Sequence, residues 1–292
     1  MAFYTLGERK VIAAVQRRAG PDVVGFEGLL QPLADGVKLL FKGVATARGV
    51  NFWLFTLAPV ALFLAGLFNW LLVPLGAPAA LDWDGSLFIL LAVGTLGSYG
   101  VFFAGWATES LYALFGSLRA VAQLLSYEVA LGTTALFLAL TFGTANLVDL
   151  ALVHGAAALV WSWPFAAVFF LCILAETNRV PFDLAEAEAE LVAGYNVEYS
   201  GFTFALFFLG EYSAMLALSG VFAALFGGAL PGGGLWGATV VVAAALVWLR
   251  ALLPRYRYDQ LLALGWNFVV PVTLGLVGLY AAAAGGALLW AA

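Results

Sequence analysis

A chain of 292 residues that is 64% hydrophobic and 10% charged, with a mean hydropathy of +1.01, falls outside the soluble globular class. Soluble chains run about 45–50% apolar and about 25% charged. A net charge of −5 argues against nucleic acid as a partner, and a single cysteine, Cys172, excludes a disulfide framework or an iron–sulfur ligand set within the chain.

The first 48 residues hold Arg9, Lys10, Arg17, Arg18, Lys38, Lys42 and Arg48. Within this basic segment (8–48), residues 27–42 read EGLLQPLADGVKLLFK. Leu29, Leu30, Leu33, Val37, Leu40 and Phe41 recur there at helical spacing, which predicts a helix lying in the membrane interface rather than a span. Seven later stretches are long and apolar enough to cross a bilayer, at about 50–75, 86–106, 120–141, 157–175, 202–226, 234–253 and 262–290. They lack the alternation of a barrel strand, so the predicted fold class is an all-α integral membrane protein forming one polytopic domain.

The basic residues sort by side. Arg119 precedes the third stretch, Arg179 follows the fourth, and Arg250, Arg255 and Arg257 separate the sixth from the seventh. By alternation all twelve Lys and Arg fall on one side, and the loops at 76–85, 142–156 and 227–233 carry none. The positive-inside rule makes that side the cytoplasm or the mitochondrial matrix. His154, in one of those outer loops, reads as an ordinary polar loop residue, and the glycine cluster at 227–237 as a loop rather than a phosphate cradle.

Two carboxylates lie inside stretches that should be apolar, Glu128 in the third and Glu211 in the fifth. Measured from the basic side, each sits roughly 13–15 Å into the bilayer. A charge at such depth costs on the order of 2.5–3.5 kcal/mol, and no Lys or Arg is expected there, which favours the neutral form and suits proton exchange with internal water. A hydrogen-bonded structural role is the alternative. The segment AETNRVPFDLAEAEAELVAGYNVEY (175–199) adds Glu176, Asp183, Glu186, Glu188, Glu190 and Glu198 on the basic side. Asp183 and Glu186 have capping-box spacing, Gly194 is a helix stop, and a helix over about Leu184–Ala193 would set Glu186 and Glu190 on one face. Together these acids outline a carboxylate path from the basic surface into the membrane, although a solvated loop docked on a basic neighbour fits the acidic segment (176–200) as well.

The same segment, continued as SGFTFALFFLGEY, resembles the long inner loop of the NADH:ubiquinone oxidoreductase chain 1 (NuoH-type) family, the quinone-site membrane subunit of respiratory complex I. GERK (7–10), RRAGPDVVGFEGLLQPLADGVKLL (17–40), LRAVAQLLSYEVALG (118–132) and PRYRYDQLL (254–262) resemble further hallmarks in family order. The resemblance implies a chamber that ubiquinone enters from the bilayer. Glu128, Glu176, Glu186, Glu188, Glu190, Glu198 and Glu211 would link quinone reduction to proton movement, and Arg9, Arg18, Asp35, Arg119, Arg179 and Phe182 would lie at or near the chamber. It also implies FMN and iron–sulfur clusters in partner subunits, soluble quinone-site partners on the basic side, antiporter-like partners in the membrane, and a mitochondrial inner membrane or bacterial plasma membrane location. Three departures are visible. Only MAFYTLG precedes the ERK element where the family has an entire span, so a first helix that is truncated, mis-assigned at its start or supplied by another chain is expected. Asp22 replaces the family's usual Asn in GPN, and Glu109 stands where Asn is common. A stand-alone ion-coupled transporter, the equivalent subunit of a membrane-bound hydrogenase and a purely structural anchor are the competing readings.

Overall fold

A computed structural model describes residues 1–44, 49–75, 79–153, 156–183, 194–227 and 233–291. Arg48, His154 and the expected helix over 184–193, with Glu186, Glu188 and Glu190, lie outside the described residues. The described chain is helical throughout and begins with α1 (Ala2–Val15). A single 3-10 turn (Phe26–Gly28) then leads into α2 (Gln31–Phe41). No residue of α2 is buried, and Leu33, Leu40 and Phe41 are among its exposed apolar side chains, as an interfacial helix requires.

The spans follow as α3 (Phe52–Leu72), α4 (Ser86–Ala107) and α5 (Leu111–Phe142), then the short α6 (Leu147–Val153) and α7 (Ala156–Glu176). After the loop come α8 (Gly201–Phe226), α9 (Gly233–Leu252), the short α10 (Tyr258–Leu264), a π-helical turn at Gly265–Val269, and α11 (Val270–Ala291). Among the described residues, six helices are long and apolar enough to cross a membrane, and Ser162–Glu176 of α7 forms a shorter apolar helix.

The third span departs from expectation. The helix starts at Leu111, not near residue 120, so Arg119 lies within α5 rather than in a loop before it. Thirty-two residues make roughly 48 Å of helix, well beyond a hydrocarbon core of about 30 Å. The extra turns persist because protein covers them: a Cβ on Gly116 would come within 2.8 Å of the Gly194 Cα in the loop before α8. Arg119 lies over the Tyr258 ring at 5.5 Å, where a guanidinium gains from the aromatic face.

Small residues set the core. α3 packs most extensively on α4 and α8, and close helix approach in a membrane demands side chains without bulk. A Cβ on Gly100 of α4 would stand 2.9 Å from the Ala58 carbonyl oxygen of α3, and one on Gly66 of α3 would overlap Ser213 Oγ of α8 at 1.8 Å. At the basic side, Gly201 (φ +60°) opens α8 so tightly that a Cβ there would lie 2.5 Å from the Lys42 carbonyl at the end of α2. Gly100→Val should therefore push α3 and α4 apart and cost about 1–3 kcal/mol, read as a lower thermal unfolding temperature of the purified membrane protein.

Candidate functional site

Glu8 is the organising residue on the basic side, and nothing in the sequence marked it beyond its place in GERK. It is 4% exposed, on α1. Arg179, in the turn after α7, donates to its Oε1 from Nη1 at 3.3 Å, and Arg250 near the end of α9 pairs with the same oxygen. Tyr212 of α8 donates its hydroxyl to Oε2 at 2.5 Å. Two guanidiniums and a phenol thus compensate one buried carboxylate, as a buried anion requires. The Arg179 guanidinium also lies 4.4 Å over the Tyr212 ring. Burial opposes its charge, but the Glu8 carboxylate, followed by Tyr212 and Glu211, outweighs that cost and holds its pKa above the ordinary arginine value.

Arg179 follows α7 closely, yet the chain turns it inward against α8, where Tyr212 adjoins Glu211 in sequence. Asn178 makes the turn with φ +47°, a left-handed conformation that asparagine tolerates better than most residues. Gln123 of α5 fixes it by donating Nε2 to the Ala175 carbonyl (2.8 Å) and to Asn178 Oδ1 (3.3 Å).

The remaining acids occupy the bundle. Ser98 of α4 donates to Glu128 Oε1 at 3.0 Å, and Tyr195 donates to Glu211 Oε1 at 2.6 Å. Ser98 lies near the middle of α4, so Glu128 stays at mid-depth despite the longer α5. Glu176, at the end of α7, has a buried Oε2 without a hydrogen-bond partner. A cavity of about 360 Å3 brings Glu128, Glu176 and Glu211 together between α3, α4, α5 and α8. A second, of about 220 Å3, is lined by Glu8, Arg9, Arg179, Asp183 and Arg250, and shares Asn178 and Glu211 with the first. A third, of about 400 Å3, holds Arg18 and shares Arg9 and Ile12 with the second. The three form a series through common walls.

The other expected residues have defined places. Asp35 on α2 accepts from Arg9 of α1 at 2.8 Å. Burial is the largest single effect and opposes its charge, but the hydrogen bond and charge of Arg9, joined by Gln31 and Lys38, together hold its carboxyl below the usual range, so this tie persists above the ordinary aspartate pKa and is lost as pH falls through the lowered one. Phe182 lines none of the three cavities. It is buried between Tyr127 and Tyr256, with ring centroids at 5.7 and 5.9 Å. Asp183, expected as a helix cap, pairs with Arg255 at 3.0 Å. Glu198 is half-buried beside Tyr199 and does not line the acid cavity. Glu109 takes φ +52° at the turn between α4 and α5, a conformation that suits asparagine better than glutamate. Asp22 is exposed, and nothing in the structure explains it. Among the described residues no group of three or more His, Cys, Asp or Glu is arranged to hold a metal ion.

Tyr212→Phe keeps the ring beneath Arg179 and removes the hydroxyl that serves Glu8. A hydrogen bond to a charged group contributes about 1.5–3 kcal/mol, so thermal unfolding should show a loss of that order, and Tyr212→Ala a larger one.

The chain matches the family model described as NADH dehydrogenase over residues 1–281. It is 47% identical to NADH-ubiquinone oxidoreductase chain 1 of Arabidopsis thaliana, covering 95% of this chain and 90% of the relative. With NADH-ubiquinone oxidoreductase chain 1 of Hyaloraphidium curvatum it shares 44% identity, over 95% and 91% respectively. With an NADH-quinone oxidoreductase subunit of the bacterium Rhodospirillum rubrum the identity is 47%, over 94% and 86%. A helical membrane bundle with buried acids, a family match over nearly its whole length and these identities place the chain in the NADH dehydrogenase family, among the NADH-ubiquinone oxidoreductase chain 1 proteins and their bacterial counterparts.

Proposed function

We propose that this chain is the quinone-site membrane subunit of a proton-translocating NADH:quinone oxidoreductase. In this role it forms part of the quinone chamber on the basic side and links quinone reduction to proton movement through its buried carboxylates. The observation that carries the proposal is the series of three cavities with shared walls, running from Arg18 and Arg9 through Glu8 and Arg179 to Glu211, Glu176 and Glu128.

Their chemistry changes along the series. The outermost cavity presents Arg9 and Arg18, donors suited to a quinone headgroup and to the negative charge it gains on reduction. The middle one is a compensated charge cluster, able to respond to a change of charge beside it. The innermost is lined mostly by apolar residues, with three carboxyl groups and a few amides and hydroxyls, a setting in which a carboxyl can exchange a proton with confined water. Electrons would come from FMN and iron–sulfur clusters in soluble partner subunits, and the proton would pass to antiporter-like membrane partners. Glu186, Glu188, Glu190 and Glu198 would supply the acidic loop on the basic side, and Asp35, Arg119 and Phe182 would support the chamber's inner rim. The membrane is proposed to be the mitochondrial inner membrane, with the bacterial plasma membrane as the alternative.

Glu128→Gln and Glu211→Gln keep shape and hydrogen-bonding capacity but cannot ionise. Both variants should assemble into a large NADH-active complex on native gels, while quinone-dependent turnover and proton translocation fall by about tenfold or more, a general acid–base contribution. Normal proton translocation in both would defeat the carboxylate route and favour an anchoring role.

A further inference from the structure

The cavity that holds the three acids extends toward the outer ends of its helices. Its lining runs from Glu176 and Asn178, at the basic-side end of α7, to Leu90 near the start of α4 and Asn69 near the end of α3. Asn69 lies roughly 25 Å along α3 from Phe52, whereas Glu211 lies roughly 15 Å along α8 from Gly201. Most of the cavity lining is apolar, with Ala65, Leu90, Leu91 and Leu218 among it. A leucine would suit such a wall. Instead an amide is present, 4% exposed, with its Oδ1 buried and without a hydrogen-bond partner.

Three donors on α3, α4 and α8 are engaged elsewhere. The Trp70 indole N–H donates to the Ser213 carbonyl at 3.1 Å, the Ser213 hydroxyl to the Gly210 carbonyl at 3.0 Å, and the Ser98 hydroxyl to Glu128. Buried polar groups in native proteins are satisfied by protein or by ordered water, and this one faces a cavity large enough for several waters. We infer that Asn69 holds an ordered water at the outer end of the acid cavity and thereby extends the proton route beyond Glu128 and Glu211. The inference rests on the carboxylate route proposed above. The amide neither gains nor loses a proton. Its oxygen accepts a hydrogen bond from the water, which then takes a proton from one neighbour as it gives one to the next. Asn69 is a positioning residue.

The test combines water-resolving electron microscopy of the intact complex with two variants, Asn69→Leu and Asn69→Ser. A water within hydrogen-bond distance of Oδ1 is expected in the unaltered protein. Asn69→Leu should lower coupled turnover about threefold to tenfold, the rate equivalent of one hydrogen bond. Asn69→Ser keeps a polar group, leaves room for water, and should stay within about twofold. A structural role alone would leave the serine variant the worse of the two, because it opens space in a packed wall. Absence of water at Oδ1 overturns the inference even if the leucine variant fails to assemble. Unchanged turnover in Asn69→Leu, beside a loss in Glu128→Gln or Glu211→Gln, overturns it while the carboxylate route stands. Unchanged turnover in all of them overturns both.

Discussion

One buried anion holds the basic side of this bundle together. Removing a carboxylate from water costs several kcal/mol even after the surroundings relax, and only close, well-hydrogen-bonded partners repay it. Glu8 finds Arg179, Arg250 and Tyr212, drawn from the turn after α7 and from α9 and α8. Tyr4 adds a second tie from α1 to α9 by donating to the Ala243 carbonyl at 2.8 Å. The N-terminal helix is thereby locked to three separate parts of the chain. The same contacts turn Arg179 inward toward Glu211, so the residue that stabilises the junction also lines the middle cavity, which shares Glu211 with the acid cavity.

The cavities follow from a second constraint, the close approach of α3, α4 and α8. Glycines 66, 97 and 100 let these helices meet, and Gly66 and Gly97 also line the acid cavity. Removing side chains at a contact both draws backbones together and leaves space alongside. Carboxyls and an amide facing that space, within an otherwise apolar wall, make it hospitable to water. Close packing and a cavity roomy enough for water are thus two consequences of one choice of small residues.

The spans were legible because hydropathy over about 20 residues is a local property, and the helices at 52–72, 86–107 and 201–226 fall within a few residues of the expected stretches. The start of α5 was not, because its first turns are held by the loop at Gly194, a tertiary contact that window hydropathy does not record. Glu128 and Glu211 were visible as acids in apolar runs. Glu8 was not, since its partners Arg179 and Arg250 lie 171 and 242 residues away, and in a basic segment it reads as one more surface charge. Asn69 was hidden for the opposite reason: one neutral amide scarcely changes a span's hydropathy, and only the cavity reveals its unpaired oxygen. The resemblance gave Phe182 a place at or near the chamber; its packing between Tyr127 and Tyr256 is a tertiary contact that the sequence did not show.

The central claim is that Glu8 and Arg179 act as one unit joining the N-terminal helix to the acid cavity. A double-mutant cycle with Glu8→Gln and Arg179→Gln, read by thermal unfolding of the assembled protein, tests it most directly. Coupled residues in one charge network show interaction energies of about 0.5–3 kcal/mol, and a value of at least about 1 kcal/mol is expected here, with the double variant less destabilised than the two single losses combined. Additivity to within about 0.3–0.5 kcal/mol would mean that the two residues act independently, and the junction would have to be held by something else.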